Sequence, residues 1–454
     1  MTKNADVVII GGSAAGPTAG ISCRRRYPEK KVLLVRKEEQ VLVPCGIPYI
    51  YGTLGSPQKN LIPDALLSNN DIELVKGEAT EIDREKKTVR TGGGDEIRYD
   101  KLIMATGSLP MELPIPGLDK KNVFFVKKDV DYLQGLLDAM KDVKDIVIIG
   151  GGFIGVEFAD ECRKYLGNNG GSVTVVEVLP HCLQLALDEE YCQEAEDVLT
   201  QNGVNVLTNK KVEAVLGDGK VSGVKLASGE ELKADIVIVG VGARPNTELA
   251  GKAGLELGPT KSIRVDRYMR TLTDTNVFAC GDCAEKFSFF SGKLSRLMLA
   301  SIASSEARIA GANLFCTCST NCGAVGVFST KLGERAFGCA GMSEVAARKE
   351  GLDCIVTGVA AGPNRHPGGM PGMVEIKLKL IFCKESGLMI GGGASGDTSV
   401  GELVNFMGAC IQHRVTAHDL TLFQMGTHPA LTASPIPYHM VNAAEMAVKA
   451  MKSN

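Results

Sequence analysis

The sequence is poor in several features that would narrow its function at once. It has no tryptophan, aromatic side chains make up only 5% of its 454 residues, and its formal net charge is −3. Without a strong positive charge, nothing favours nucleic acid as a partner. No apolar run reaches the roughly 18 residues that a membrane-spanning helix needs. The first residues run straight into an apolar strand with no secretory signal pattern. We therefore expect a globular, cytoplasmic protein that binds neither membranes nor nucleic acid.

The chain has 14 cysteines, which are scattered rather than regularly spaced. In the reducing environment expected for a cytoplasmic protein, most of them should be free thiols inside the core. Cys316, Cys318 and Cys322 lie close together in sequence, but a metal site needs about four ligands and no fourth is evident nearby. We therefore predict no metal site and leave the role of these three cysteines open.

The sequence contains two similar units followed by a different tail. The first unit begins DVVIIGGSAAGPTAGISCRRR and the second begins DIVIIGGGFIGVEFADECRKYL, and each continues into another apolar strand. A strand, a glycine-rich turn, a helix and a second strand form the βαβ pattern of a parallel sheet. From about Gly323 the pattern changes to antiparallel strands and long helices. The predicted fold class is α/β, with two Rossmann-like dinucleotide-binding domains and a C-terminal α+β domain.

The second unit has the complete G-x-G-x-x-G motif of a dinucleotide site, in Gly150, Gly152 and Gly155. These glycines allow a tight turn, close approach of the backbone to a pyrophosphate, and close packing of helix on strand. Glu177 ends the next strand, where an acidic side chain hydrogen-bonds a ribose hydroxyl and repels a 2′-phosphate. The second unit is therefore predicted to bind NADH in preference to NADPH.

The first unit has a degenerate form of the same motif. Gly11, Ser13 and Gly16 occupy the three positions, so a serine replaces the middle glycine. The strand-end position that is usually acidic is Arg36, which could hydrogen-bond a ribose or an adenine edge, or could simply be exposed. Glu38 lies two residues further on and could substitute for the missing acid.

Two later segments strengthen the prediction for the first unit. The sequence ATG, which is Ala105, Thr106 and Gly107, ends a strand. Asp282, in CGDCAE, lies between a strand and a helix, where a carboxylate could accept hydrogen bonds from a polyol chain. A helix N-cap is the plain structural alternative for Asp282, and the two roles are compatible.

Five motifs now stand in one order along the chain: GGSAAG, ATGS, GGGFIGVE, VGARPN and GDCAE. This order and spacing resembles that of the FAD- and NAD(P)H-dependent pyridine nucleotide-disulfide oxidoreductases. The resemblance implies an FAD-binding domain (1–115 and 248–322), an inserted NAD-binding domain (116–247) and a C-terminal dimerisation domain (323–454). It also implies an obligate homodimer, because each active site borrows residues from the tail of the partner.

The stretch PCGIPYIYG narrows the class within that family. Family members with two redox cysteines carry C-x-x-x-x-C, whereas Cys45 is followed at that spacing by Ile50. A lone cysteine before G-I-P-Y resembles the pattern of one branch of the family. That branch contains CoA-disulfide reductases, NADH oxidases, NADH peroxidases and persulfide reductases. Ala14 stands where the peroxidases and many oxidases have a histidine. Its absence weakens the hypothesis that oxygen or peroxide is the electron acceptor.

The resemblance implies roles for the remaining candidate residues. Phe153 would cover the flavin, Glu157 would lie near the nicotinamide, and Gly242 belongs to the cofactor-binding motif VGARPN. His428, in GTHPALTASP, would be the proton carrier supplied by the partner subunit, or else a capping or surface histidine. We expect a substrate-binding set that meets CoA, although a solvated helix end explains the arginines equally well: Arg24, Arg25, Arg26 and Tyr49.

The predicted function is transfer of electrons from NADH through FAD and Cys45 to a low-molecular-weight disulfide or persulfide, with CoA disulfide as the first choice. Cys45 is predicted to start a helix, whose dipole would favour its thiolate. One alternative is an NADH oxidase that reduces O2. The other is a flavoprotein with little turnover, whose NADH-bound state signals to a protein partner.

Overall fold

The computed structural model describes residues 2–167 and 170–452, which form two compact units. The first unit comprises Met1–Pro114, Phe125–Asp142 and Val241–Ala324, and the second comprises Ile115–Phe124, Val143–Gly240 and Val325–Asn454. Each unit therefore draws its chain from separate parts of the sequence. The four-segment division into FAD-binding, NAD-binding and dimerisation domains stays a prediction.

The first unit is built on a five-stranded parallel sheet. All of its strands except the edge strand Ile72–Lys76 are largely apolar and almost completely buried, as expected of parallel strands covered on both faces. The strands, in spatial order, are Val277–Ala279, Lys101–Met104, Val7–Ile10, Val32–Arg36 and Ile72–Lys76. Helix Ala15–Arg26 follows the first glycine loop and packs against helix Ala300–Asn313.

Smaller elements complete the first unit. A four-stranded sheet lies in the order Thr2–Asn4, Glu96–Arg98, Thr88–Thr91 and Ala79–Asp83. Three two-stranded ladders pair Val41–Leu42 with Leu61–Ile62, Ser108–Pro110 with Ala243–Pro245, and Lys286–Phe287 with Leu294–Ser295. The remaining helices are Ala65–Ser68, Val130–Ala139 and Glu248–Lys252, with 3₁₀ turns at Pro44–Gly46, Pro57–Asn60, Met140–Asp142 and Gly281–Cys283 and a π-helical turn at Ile50–Leu54.

The second unit contains a second five-stranded sheet of the same kind. Its strands, in spatial order, are Val123–Phe125, Ile236–Val239, Asp145–Ile149, Ser172–Val176 and Val204–Leu207. Helix Phe153–Leu166 follows the second glycine loop and helix Glu189–Gln201 follows the next strand. A three-stranded antiparallel sheet accompanies them, formed by Val212–Leu216, Gly223–Leu226 and Glu231–Lys233. The two predicted βαβ units are therefore present.

The tail forms an antiparallel sheet with helices, as its change of pattern predicts. The strands, in spatial order, are Val327–Leu332, Arg335–Gly341, Met389–Gly396, Glu375–Cys383 and Ile355–Pro363. The helices are Glu344–Lys349, Val400–Gln412, Ala417–Thr421 and His439–Lys452. None of the helices in the described parts of the chain is both long and apolar enough to span a membrane.

Within the second unit, a buried lysine of the tail forms ion pairs with residues at the start of helix Glu189–Gln201. Lys379 lies on strand Glu375–Cys383 and is 7% exposed. Its Nζ contacts carboxylates of Asp188 at 3.0 Å, Glu190 at 2.5 Å and Glu344 at 2.8 Å. Because three acceptors surround one ammonium group, the pKa of Lys379 is raised despite its burial.

Candidate active site

The second glycine loop has the geometry of a dinucleotide cradle. Gly150 adopts φ +106°, which side chains rarely tolerate. A Cβ at Gly155 would collide with the carbonyl oxygen of Gly150, so only glycine lets the helix pack here. At Gly152, by contrast, no described atom lies within 4 Å of where a Cβ would be. The residues therefore fit a pyrophosphate, because the open space lies where the motif places it.

Glu177 lies beside this loop and is 7% exposed. Its Oε2 accepts the N–H of Gly151 at 2.5 Å and its Oε1 accepts the N–H of Leu179 at 2.7 Å. The backbone thus fixes the carboxylate at the end of strand Ser172–Val176. Its negative charge beside the loop fits a ribose diol and disfavours an additional phosphate.

The first glycine loop repeats this construction despite the serine at position 13. Gly11 adopts φ +121°, and a Cβ at Gly16 would collide with the carbonyl oxygen of Gly11. A Cβ at Gly11 would in turn collide with the carbonyl oxygen of Ala105. The loop and the ATG segment, which are far apart in sequence, are therefore in contact. Ser13 is only partly buried, so this loop also fits a pyrophosphate.

Arg36 is buried, which corrects the prediction that it could simply be exposed. It also lines the cleft beside the first loop, so its predicted contact with a ribose or an adenine edge stays a prediction. It is 4% exposed, and its guanidinium forms a two-point ion pair with Asp64, with contacts of 2.6 and 2.9 Å. Two backbone carbonyls accept further N–H groups of Arg36: that of Glu38 accepts from Nε at 2.9 Å, and that of Glu39 from Nη2 at 3.0 Å. The Arg36 side chain packs on Gly12, where a Cβ would lie 2.6 Å from its Cδ. The side chain of Arg36 therefore packs against the first glycine loop at Gly12.

A cleft of about 340 Å³ lies in the first unit beside this loop. Glu38 lines it, and the prediction that this carboxylate could replace the missing acid stays a prediction. Other lining residues come from the first loop, the ATG segment and the segment after VGARP, and include Gly11, Val35, Thr106, Asn246, Leu249 and Lys252. The cleft has the mixture of charged and apolar groups suited to an adenosine moiety.

The ATGS and VGARPN motifs are joined directly in the first unit. Thr106 Oγ1 donates to the carbonyl of Asn246 at 2.6 Å, and Asn246 Nδ2 donates back to the carbonyl of Thr106 at 3.2 Å. Gly107 and Gly242 adopt φ +70° and +98°, and no described atom lies within 4 Å of a Cβ at either position. The two glycines therefore expose backbone that a ligand could approach.

Asp282 lies inside the 3₁₀ turn Gly281–Cys283, whose N-cap is Cys280, so the N-cap alternative for Asp282 is wrong. Its Oδ2 accepts the hydroxyl of Ser108 at 2.7 Å and lies 3.9 Å from Nζ of Lys128. The sequence prediction missed Ser108 and Lys128. Ser108 directly follows the ATG segment, which was the available signal, whereas nothing local in the sequence marked Lys128.

Cys45 is exposed and lies at the centre of the 3₁₀ turn Pro44–Gly46. Buried Asn60 braces this turn, because its Nδ2 donates to the carbonyl of Val43 at 3.0 Å and its carbonyl accepts the N–H of Val43 at 2.8 Å. A Cβ at Gly46 would collide with the side chain of Asn60. The predicted helix at Cys45 is therefore present only as two short helical turns, the 3₁₀ turn Pro44–Gly46 and the π-helical turn Ile50–Leu54. Neither turn is long enough to provide a large helix dipole.

Several of the residues that follow Cys45 are buried. Ile50 occupies the position where a second redox cysteine would stand, and it is fully buried at the start of the π-helical turn Ile50–Leu54. Such turns are frequent at functional sites. Tyr49 precedes this turn and is partly buried.

Phe153 and Glu157 lie one turn apart on helix Phe153–Leu166 and both contact strand Val327–Leu332. The Phe153 ring stacks on Phe328 with a centroid separation of 5.1 Å and an angle of 5°. Glu157 Oε1 accepts the hydroxyl of Thr330 at 2.8 Å. Burial raises the pKa of Glu157 to about 7. Phe328 and Thr330 are two residues apart on their strand and therefore lie on the same face, which meets one face of the helix.

The arginine run is divided in its contacts. Arg24 donates to the carbonyls of Pro28 at 2.6 Å and Lys30 at 2.7 Å and lies 3.3 Å from Asp71. Arg25 and Arg26 are exposed in the last helical turn. Arg24 therefore has a local structural role, and only its two neighbours present their charge to solvent.

His428 is exposed in a local turn of the second unit. Its Nδ1 accepts the N–H of Ala430 at 3.2 Å, and its own N–H donates to Thr432 Oγ1 at 3.1 Å. The neutral ring accordingly has its proton on Nε2. This geometry agrees with the capping alternative, and the acid/base role of His428 stays a prediction.

Cys316, Cys318 and Cys322 are exposed. Within residues 2–167 and 170–452, no three or more histidine, cysteine, aspartate or glutamate side chains are arranged to hold a metal ion. The role of these three cysteines stays open.

Comparison with protein families identifies both halves of the chain. The family model described as pyridine nucleotide-disulphide oxidoreductase matches residues 5–307. A second model, described as the dimerisation domain of the same family, matches residues 327–436. The predicted fold class, two Rossmann-like domains and a C-terminal dimerisation domain, is confirmed.

Individual relatives resemble nearly the whole chain. A protein from Enterococcus faecalis named NADH oxidase is 30% identical over 92% of this chain and 94% of its own length. A Pyrococcus horikoshii protein named NAD(P)H coenzyme A polysulfide/persulfide reductase is 32% identical over 85% of this chain and 86% of its own. The solved structure of an NAD-dependent persulfide reductase from A. fulgidus has a TM-score of 0.89 at 31% identity, covering 99% of this chain and 83% of that one.

Proposed function

The chain belongs to the pyridine nucleotide-disulphide oxidoreductase family, and we propose that it uses NADH to reduce a low-molecular-weight disulfide or persulfide, with CoA disulfide as the first choice. The family makes it an NAD(P)H-dependent flavin oxidoreductase. The observation that supports the finer proposal is the exposed Cys45 on its braced turn, with buried Ile50 in place of a second redox cysteine. The missing thiol partner would then be the sulfur of the substrate.

The residues of the first unit would hold FAD. The loop at Gly11 and Gly16 would receive the pyrophosphate, Glu38 would face the adenosine, and Asp282 with Ser108 would bind the polyol chain. When bound, FAD would accept electrons from NADH and deliver them to sulfur at Cys45. The open backbone at Gly107 would also serve this site.

The second unit would hold NADH. Its loop would bind the pyrophosphate at Gly152, and Glu177 would accept hydrogen bonds from the adenosine ribose. An extra 2′-phosphate would meet the buried carboxylate of Glu177, so NADH is preferred over NADPH. Phe153 would lie over the flavin and move aside for the nicotinamide, and Glu157 would line the nicotinamide pocket.

The chemistry at Cys45 is thiol–disulfide exchange. The Cys45 thiolate attacks one sulfur of the substrate disulfide and forms a mixed disulfide, and the other half leaves as a thiolate. His428 of the partner subunit would protonate that leaving thiolate. Two electrons from NADH then cleave the mixed disulfide and restore Cys45. The same exchange releases sulfide when the substrate is a persulfide.

The choice of CoA disulfide comes from charge and from a relative. Arg25 and Arg26 present exposed guanidinium groups that suit the phosphates of CoA, and Tyr49 lies four residues after Cys45. The name of the P. horikoshii relative includes coenzyme A. A homodimer agrees with the dimerisation domain matched at residues 327–436.

A Cys45→Ser variant tests this proposal, with Cys322→Ser as a matched exposed control. Under anaerobic conditions, we expect Cys45→Ser to lose NADH oxidation driven by CoA disulfide by about 100-fold or more, because serine is a poor nucleophile for sulfur. Cys322→Ser should keep the wild-type rate. Undiminished turnover of CoA disulfide by Cys45→Ser would contradict the proposed role.

The second candidate function is an NADH oxidase that reduces O2, which the name of the E. faecalis relative favours. Ala14 argues against it, because the oxidases often have a histidine there. NADH consumption that is rapid in air and that disulfides do not sustain without oxygen would support the oxidase instead.

A further inference from the structure

A buried ion pair lies next to the predicted flavin-binding turn, and no step proposed above uses it. Nζ of Lys286 is 3.4 Å from Oε2 of Glu306, and each side chain is only 3% exposed. Removing two charges from water carries a large desolvation cost, which their attraction offsets only with good geometry and further hydrogen bonds. The further hydrogen bonds of this pair therefore indicate its role.

The pair holds the backbone of a single residue. Oε2 of Glu306 accepts the N–H of Gly281 at 2.9 Å. Nζ of Lys286 donates to the carbonyl of Gly281 at 2.6 Å and to that of Ala284 at 3.0 Å. The two charges therefore hold Gly281 from both sides, and the carbonyl that Lys286 holds belongs to the peptide that leads into Asp282.

Gly281 needs this support because its position is confined. It adopts φ +77°, and a Cβ there would lie 3.0 Å from the Cβ of Ala15, the first residue of the helix after the first glycine loop. Ala303 closes the other side, 3.4 Å from the same point. Because Asp282 follows in the chain, a rotation of the peptide between Gly281 and Asp282 would change where the Asp282 carboxylate is presented.

We propose that Lys286 and Glu306 are positioning residues of the flavin site, which act by fixing the peptide that presents Asp282. This inference rests on the proposed assignment of Asp282 to FAD. A pair of apolar side chains could fill the same volume at no loss of stability, so the contribution of the charges is orientation. The other Glu306 oxygen, Oε1, is buried and has no hydrogen-bond partner within the described residues. This oxygen adds to the desolvation cost of the ion pair, so the charges are a poor source of stability alone.

The experiment measures FAD release from the purified holoenzyme after dilution, by the rise in flavin fluorescence. Lys286→Met should release FAD roughly tenfold faster than the wild type, since both charged hydrogen bonds from Nζ, to the carbonyls of Gly281 and Ala284, are lost. Lys293 is exposed in the loop between strands Lys286–Phe287 and Leu294–Ser295. Its Lys293→Met variant should release FAD at the wild-type rate. If Lys286→Met yields no holoenzyme, Lys286→Gln is measured with the same expectation.

A double-variant comparison separates positioning from general stability. Asp282→Asn should also accelerate FAD release, and adding Lys286→Met to it should have little further effect, because Lys286 acts through Asp282. Wild-type release by Lys286→Met, or an effect that multiplies with that of Asp282→Asn, would overturn the positioning role. Wild-type release by Asp282→Asn would instead refute the assignment of Asp282 to FAD.

Discussion

Glycines of one loop show how two residues of the same type can serve different purposes. A methyl group at Gly155 would collide with the carbonyl of Gly150, whereas no described atom lies near a methyl group at Gly152. Gly152 also has φ −72°, which alanine adopts without strain. Gly155 is thus required by the fold, whereas the space beside Gly152 is available to a ligand.

Substitution by alanine should therefore separate folding from binding. We expect Gly152→Ala to keep the wild-type melting temperature but to raise the KM for NADH by about tenfold, since the methyl group would occupy the space of the pyrophosphate. Gly155→Ala should lower the melting temperature or abolish folding. Thermal unfolding and steady-state kinetics measure the two effects.

Gly401→Ala is the matched control for these variants. Gly401 lies in helix Val400–Gln412 of the same unit, and no described atom is within 4 Å of its Cβ position. This substitution should leave the KM unchanged and slightly raise stability through helix propensity. A wild-type KM for Gly152→Ala would contradict a pyrophosphate at that position.

The glycine pattern could be predicted from the sequence because its physical requirement is local. A tight turn and a close helix need glycine at fixed spacing, whatever the rest of the chain does. Arg36 could not be predicted in the same way, since its ion-pair partner Asp64 lies 28 residues away. Lys128 was missed for a similar reason: it meets Asp282 only in the folded unit.

At the scale of elements, helix Phe153–Leu166 and strand Val327–Leu332 share a half-buried carboxyl group. Glu157 accepts a hydrogen bond from Thr330, and burial raises its pKa from 4.5 to about 7. Between these two values the native state keeps a proton that the unfolded state releases. The stability from this group is therefore complete below about pH 4.5 and is lost as the pH rises through about 7.

Glu157→Gln should remove this pH dependence. Glutamine can still accept the hydroxyl of Thr330 but cannot ionise. Relative to the wild type, we expect the variant to become more stable as the pH rises from about 5 to about 8, in unfolding by denaturant. Glu334→Gln, at a side chain that is 97% exposed beside the same strand, should follow the wild type. A constant difference between Glu157→Gln and the wild type at both pH values would show that Glu157 does not titrate in this range.

The predicted and observed elements differ most around Cys45. Long periodic segments such as the tail helices could be recognised, because many residues support the same pattern. The residues near Cys45 give no such pattern, and the chain there is fixed by Asn60, which pairs with Val43 and leaves no space for a side chain at Gly46. A tertiary contact thus helps to decide the local structure, and the helix predicted from the sequence is present only as two short helical turns.

At the scale of the whole molecule, the proposed mechanism needs two chains. Three large apolar side chains near His428 are exposed in the isolated chain: Leu422 at 74%, Leu431 at 66% and Ile436 at 87%. Exposed large apolar residues are typical of surfaces that a partner covers. These three lie within the range that the dimerisation-domain model matches, and His428 lies between Leu422 and Leu431 in the sequence.

Mixing two inactive variants should therefore restore activity. In the proposed site, Cys45 comes from one subunit and His428 from the partner. A heterodimer of Cys45→Ser and His428→Gln would contain one site with both substitutions and one site with neither. After unfolding and refolding in equal amounts, random pairing makes half of the dimers mixed, so we expect about a quarter of the wild-type rate with CoA disulfide.

The controls follow from the same symmetry. Each variant refolded alone should stay below the rate of the mixture, and mixing Cys45→Ser with wild-type chain should give a rate proportional to the wild-type fraction. If Cys45 and His428 acted within one chain, the mixed dimer would contain no intact site and mixing would restore nothing. A mixture that remains as inactive as its components would therefore exclude His428 as the acid/base supplied by the partner subunit.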